Sequence, residues 1–306
     1  MSETSDASSG PVMPHGIGRL IGNTPLVRLC GMGREDGAPI FVKLEQTNPS
    51  GSIRDRYIAE ILNRSVDAGQ MLSGDRVALA GLDDSAVSAA CIGAILGLDV
   101  HIFIPEGASR RLLDMLVRYG ATPHWCDGGL DGAIEQAAAW SRDGCDRFYV
   151  DGFRRQAVQD AYGAMAQEIR AALGARTLGA FVTSVSTGGT FREVTPHLRE
   201  HYPTLRVGGA VLIDADVADL LTNLRDTLQR ISLEDAWSMR DRVARETGLL
   251  LSPKGAACVE LALQMQASVP AEHAIVALNP DAGQRYLGWE AQPIFTHVYP
   301  AYAPSR

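Results

Sequence analysis

From Pro39 onward the chain alternates short apolar runs with amphipathic stretches of ten or more residues. No other feature constrains its fold as tightly. The runs are 39–45 (PIFVKLE), 76–80 (RVALA), 98–104 (LDVHIFI), 147–150 (RFYV), 179–185 (GAFVTSV), 205–213 (LRVGGAVLI) and 274–279 (AIVALN). Helical periodicity falls between them, at 55–64, 85–96, 110–119, 130–141, 157–173 and 191–201. Strands that alternate with helices of this length predict βαβ units and a mostly parallel sheet. Runs that are apolar at nearly every position suit strands covered on both faces. Ser232 followed by Asp235 has capping-box form and predicts a further helix through Glu246.

At 306 residues the chain exceeds the roughly 150 expected per domain, which predicts two domains or one large α/β unit. No repeat or low-complexity linker separates them, so the division is expected by interleaved layers. Residues 1–16, MSETSDASSGPVMPHG, have neither a basic start nor an apolar centre. They read as a disordered leader rather than a secretory signal, and the expected location is cytoplasmic. Thirty-six acidic residues against 28 basic ones leave a net charge of -8, which argues against a nucleic-acid footprint. No apolar run approaches the roughly 18 residues of a membrane span. Five scattered cysteines without a C-x-x-C predict reduced thiols, with Cys91 and Cys258 as core residues in apolar helices. The seven histidines share no ligand spacing with them, so no metal is expected. Only two of the 28 basic residues are lysines, Lys43 and Lys254.

Three Gly-rich turns punctuate strand–helix junctions. The first is Thr47-Asn48-Pro49-Ser50-Gly51-Ser52. The second is SVSTGGT, 184–190. The third is Pro253-Lys254-Gly255-Ala256-Ala257. In the second, backbone amides at a helix start, flanked by hydroxyls, make an anion cradle of Ser186, Thr187, Gly188, Gly189 and Thr190. The same glycines also suit a plain turn that needs their conformations.

In this order, the stretches IGNTPLVRL (21–29), VKLEQTNPSGSIRDR (42–56), STGGT (186–190) and PDAGQRYL (280–287) resemble the cysteine synthase/cystathionine β-synthase group of fold-type II pyridoxal-phosphate (PLP) enzymes. The resemblance runs from Arg19 to Leu287. It implies a tryptophan synthase β-like α/β architecture of two interleaved three-layer αβα domains with the cofactor site between them. The expected large domain is 17–46 plus 151–306, and the small domain is 47–150. Active members carry out β-replacement on an activated serine, commonly as homodimers. They also bind the C-terminal peptide of a partner acyltransferase in the active-site cleft.

Residue by residue, the site departs from this pattern. The family lysine that forms the Schiff base with PLP stands here as Arg54. A guanidinium stays protonated and delocalised, so it cannot attack an aldehyde as a neutral amine. The family loop that receives the substrate carboxylate aligns with 81–86, which brings in Asp83 and Asp84. The carboxylate-binding Gln aligns with Gly152 and is absent. The turn that offers a serine to the pyridine nitrogen aligns with 253–257 and carries Lys254, whose charge would disfavour a pyridinium. The stretch 212–231 is shorter than its counterpart and lacks the family's glycine-rich loop.

The leading reading is therefore a degenerate, cysteine synthase-like pseudoenzyme that acts as a binding or regulatory subunit. It would hold no covalent cofactor, while noncovalent PLP or another phosphate or anion could dock on 186–190. Its partners would be a second copy, an active homologue, or a partner peptide in the cleft, with no nucleic acid and no membrane. The alternative is a repurposed or atypical enzyme, running β-replacement or new chemistry among Arg54, Asp83, Asp84 and Lys254. A PLP enzyme using Lys254 or Lys43 is disfavoured by geometry. Arg54 itself has two readings: it recruits an anionic ligand, or it pairs with Asp83 or Asp84 and plugs the old site. Lys254 reads as a solvated lysine at a helix start, and Lys43, beside Glu45, as structural.

Overall fold

The computed structural model describes residues 16–81, 83–106, 112–150, 155–186, 188–212 and 228–288. The leader up to His15, Leu82, the Gly152-Phe153 position, Thr187 and 213–227 lie outside them. In chain order the strands are β1 (Leu26–Arg28), β2 (Ile40–Leu44), β3 (Arg76–Ala80), β4 (Asp99–Pro105), β5 (Thr122–Cys126), β6 (Arg147–Tyr149), β7 (Leu178–Ser184), β8 (Arg206–Leu212), β9 (Leu228–Ile231) and β10 (Ala274–Asn279). The helices are α1 (Arg54–Asp67), α2 (Asp84–Leu96), α3 (Leu113–Arg118), α4 (Gly129–Arg142), α5 (Arg155–Leu173), α6 (Gly189–Arg199), α7 (Leu233–Thr247) and α8 (Pro253–Met265). They form two compact units. The described residues of the first fall within Met1–Ile21, Arg54–Glu106 and Leu112–Val158, and those of the second within Gly22–Ile53 and Gln159–Arg306.

The first unit is built on four parallel strands in the order β5-β4-β3-β6. Side chains alternate across a strand, so the neighbours of successive β4 residues identify the layers. Val100 faces α2, where a Cβ added to Gly93 would collide with it. Phe103 faces the other way and packs with Ala78, Cys126, and Ala133 and Ala137 of α4. With α1 laid against α2, the unit is a three-layer αβα stack. Helix α2 is apolar or small at nearly every position and buried from Asp84 to Gly93. Its bounds are set by chemistry at the ends: Asp83 caps the first turn, and Gly97, left-handed at φ 70, ends the last.

The second unit holds six strands in the order β1-β2-β10-β7-β8-β9, with β1 antiparallel to β2 and all other pairs parallel. Side chains built at Gly208 would meet Leu261 and Met265 of α8, whereas those at Gly209 would meet Phe191 of α6. The two helices therefore cover opposite faces, again giving αβα. On the α7–α8 side the core includes Val42, Ala180, Ile275, Ala277, Val259 and Leu261. Each fully buried valine, leucine or isoleucine among them contributes about 1.5–3 kcal/mol. The capping-box helix forms as expected: the Ser232 hydroxyl accepts from the Asp235 amide at 2.9 Å.

Strand β10 lies buried along its whole length in the centre of this sheet. Beyond its carboxyl end, Asp281 forms a β-bridge with Ser52, and Ala282 forms one with Leu251. Three distant segments thus meet where parallel sheets offer binding sites, outside the carboxyl ends of the strands.

Candidate functional site

In the second unit, the turn after β2 is braced from several sides. Asn48 donates through Nδ2 to the Glu45 carbonyl and carboxylate (2.8 and 2.9 Å) and accepts from the Gly22 amide at 2.9 Å. Thr24 donates to the other Glu45 oxygen at 2.7 Å. The Ile53 amide donates to the Pro280 carbonyl at 2.7 Å, and Arg285 donates to the Ser50 carbonyl. This turn hands the chain to α1 with Arg54 as its first residue.

Lys43 is 1% exposed and donates to the Thr24 carbonyl at 2.6 Å and to Glu168 at 2.5 Å. The structural reading of this lysine stands, with Glu168 of α5 as the partner its sequence neighbours did not reveal. Lys254 differs from expectation. Its side chain is 19% exposed, and its Nζ donates to Asp281 Oδ2 at 3.0 Å, so it is ion-paired rather than solvated. Asp281 is itself buried and also accepts from the Tyr286 hydroxyl at 2.8 Å, while its Oδ1 has no hydrogen-bond partner among the described residues. Ser252 caps α8 by accepting from the Gly255 amide at 3.1 Å. Gly255 is obligatory, because a Cβ there would strike the Asn279 side chain. One turn on, burial pushes the Cys258 thiol well up, helped by the Asp281 charge, which makes it a core residue and not a nucleophile.

At the start of α6, Gly188 takes the left-handed conformation at φ 76 and serves as the N-cap. Gly189 and Thr190 open the helix, and the Thr190 hydroxyl donates to Tyr162 at 3.3 Å. The amides of Gly189 and Thr190 therefore sit at a helix N-terminus, with Ser186 half-buried.

In the first unit, the Arg54 guanidinium lies 5.7 Å over the Tyr57 ring. Asp83 Oδ1 accepts from the Ser85 and Ala86 amides at 2.8 and 3.3 Å. Its Oδ2 accepts from the Ser85 hydroxyl at 3.3 Å, and that hydroxyl lies 2.6 Å from the Tyr57 phenol. Asp84, buried, is the first residue of α2. The helix-start amides at the carboxylate loop are therefore satisfied by a carboxylate of the chain itself. Within each unit, the structure brings Asp83 to Ser85 and Tyr57, and Lys254 to Asp281 and Tyr286. No local sequence signal points to Glu168 or Tyr162, which lie far along the chain from the residues they engage. Asp281 belongs to the 280–287 motif, which by itself assigns it no role.

The family model described as "Pyridoxal-phosphate dependent enzyme" matches residues 17–212. A protein named "Probable cysteine synthase" from Bacillus subtilis (strain 168) is 28% identical over 293 residues, covering 88% of this chain and 94% of its own. The "O-acetylserine dependent cystathionine beta-synthase" of the same organism is 26% identical over 295 residues, covering 89% and 95%. Among solved structures, O-ureido-L-serine synthase superposes with a TM-score of 0.81 at 24% identity, covering 92% of this chain and 96% of that one. This last likeness shows the shared fold.

Proposed function

This chain belongs to the pyridoxal-phosphate dependent enzyme family, and within it we propose a cysteine synthase-like protein that performs no Schiff-base chemistry and works by binding. One observation carries the reading. The chain has two lysines, both ammonium groups are held in ion pairs, with Glu168 and Asp281, and the motif position that should supply a third is Arg54. An amine attacks an aldehyde only when neutral, and an ion pair presupposes the charged form.

The residues present do not fit PLP as a covalent cofactor, since Arg54 stands at the lysine position. They fit an anion better. The α6 start retains Gly188, Gly189 and Thr190, which suits a noncovalently held phosphate. Asp83 already occupies the α2 amides, which works against an incoming carboxylate. Arg54 either closes the old site or receives an anionic guest. A second copy, an active homologue or a partner peptide are the partners that suit a binding subunit.

A second reading has its own support. Relatives named as cysteine synthases align along 94% or more of their own length, and these relatives are enzymes. An atypical β-replacement enzyme on an O-activated serine is the form this would take. Supplying the purified protein with PLP, O-acetyl-L-serine and sulfide separates the two. We expect no cysteine above the protein-free rate, and Arg54→Lys should gain a borohydride-reducible adduct at position 54. Turnover by the unmodified protein would establish the second reading.

A further inference from the structure

On the α4 side of the first unit, away from every motif above, two imidazoles meet. His101 of β4 and His124 of β5 stand with Nδ1 and Nε2 2.8 Å apart, and His101 Nε2 lies 3.1 Å from Asp99 Oδ2. Aromatic rings enclose the pair: Phe103 stacks on His124 at 4.7 Å and Trp140 tilts over His101 at 4.5 Å. The 2.8 Å between the two ring nitrogens is a hydrogen-bond distance, so one of them carries the proton and the other accepts it. We infer that Asp99, His101 and His124 form a one-proton latch, whose fold accepts a first added proton and opposes a second.

Hydrogen counting gives the limit. With both rings neutral, His124 Nε2–H donates to His101 Nδ1, and His101 Nε2–H donates to Asp99. A proton entering at His124 Nδ1 lets the Nε2 hydrogen cross to His101 Nδ1. The charge then rests on the ring beside Asp99, and every contact survives. A second proton on the pair would set two N–H groups against each other at 2.8 Å, and like charges within this distance repel.

Surrounding groups do not offset that. Beyond Asp99, Cys126 of β5 sits on this face, its Sγ 3.5 Å from the His124 carbonyl. From β6 come Tyr149 and Arg147, the latter a cation 4.6 Å over Trp140. Helix α4 presents Ala133, Ala137 and Trp140, while its Asp131, Glu135 and Arg142 are exposed. Strand β3 supplies Ala78, and its Arg76 is paired with Asp146. Helix α3, against β5, carries Asp114 and Arg118. Partial burial, then the neighbouring His101, lower His124 below the ordinary range, with Asp99 pulling the other way. An imidazole that the fold keeps neutral takes protons more readily when unfolded. The stability it contributes is therefore full above about pH 6.5 and is lost as pH falls below that value.

Side-chain NMR titration of the whole protein tests this, with the two rings assigned through His101→Gln and His124→Phe. The expected result is one shared titration step for the pair and a second displaced to lower pH. Two independent titrations near 6.5 would overturn the latch. In parallel, the unfolding constant should rise between pH 7 and pH 5 more for the wild type than for His124→Phe, about tenfold for each unit by which the second step is displaced. Equal pH slopes would overturn it as well. The titration is read on the wild type, with the two variants serving only to assign its signals, and it does not depend on the cofactor question.

Discussion

Lys43 and Glu168 are joined at 2.5 Å with the ammonium almost wholly enclosed. Removing one partner of such a pair leaves the other buried without compensation, which costs about 3–5 kcal/mol. Lys43→Met should therefore lower stability by about 3 kcal/mol, read from the urea midpoint. Lys254→Met should cost less, because that side chain is more exposed. A wild-type midpoint for Lys43→Met would mean that the pair is not formed. At this scale the decisive substitution was legible, since Arg54 falls inside a motif whose other residues stand in place. The partners were not. Glu168 lies 125 positions from Lys43 and Asp281 lies 27 from Lys254, and no local pattern links residues that only the fold brings together. That is why Lys254 read as solvated until Asp281 appeared beside it.

Among the elements, the α2 start carries the most direct prediction. Asp83 satisfies two of its opening amides, and losing an N-cap side chain costs about 1 kcal/mol. Asp83→Ala should destabilise by that amount in thermal unfolding, with Asp83→Asn close to wild type; an unaffected Asp83→Ala would remove the cap from the account. Strands β2, β3, β4, β7, β8 and β10 were legible as apolar runs because both of their faces are covered, and the edge strand β6 was legible from its RFYV run. The other edge strands were not. β1 spans three residues and pairs on one side only. β5 reads TPHWC, with Pro123 tolerated at a sheet edge and Trp125 exposed. β9 follows a segment with no periodic signal and has two exposed residues of four. Strands half open to solvent lack the continuous apolar signature, so composition alone does not reveal them.

For the molecule as a whole, two αβα units and a family match across residues 17–212 place the chain on a scaffold shared with cysteine synthase-like enzymes. No helix among the described residues is long and apolar enough to cross a membrane. The proposed function uses this scaffold without the amine chemistry and assigns binding to the turn at Gly188–Thr190. The proposed function requires that no lysine of this chain links to PLP, and a chain with only two lysines makes this directly measurable. Purified protein incubated with PLP, reduced with borohydride and digested for peptide mass spectrometry should carry no pyridoxyl mass on the peptides containing Lys43 or Lys254. A stoichiometric adduct on either lysine would contradict the account and make the protein an unusual member of the enzymes it resembles.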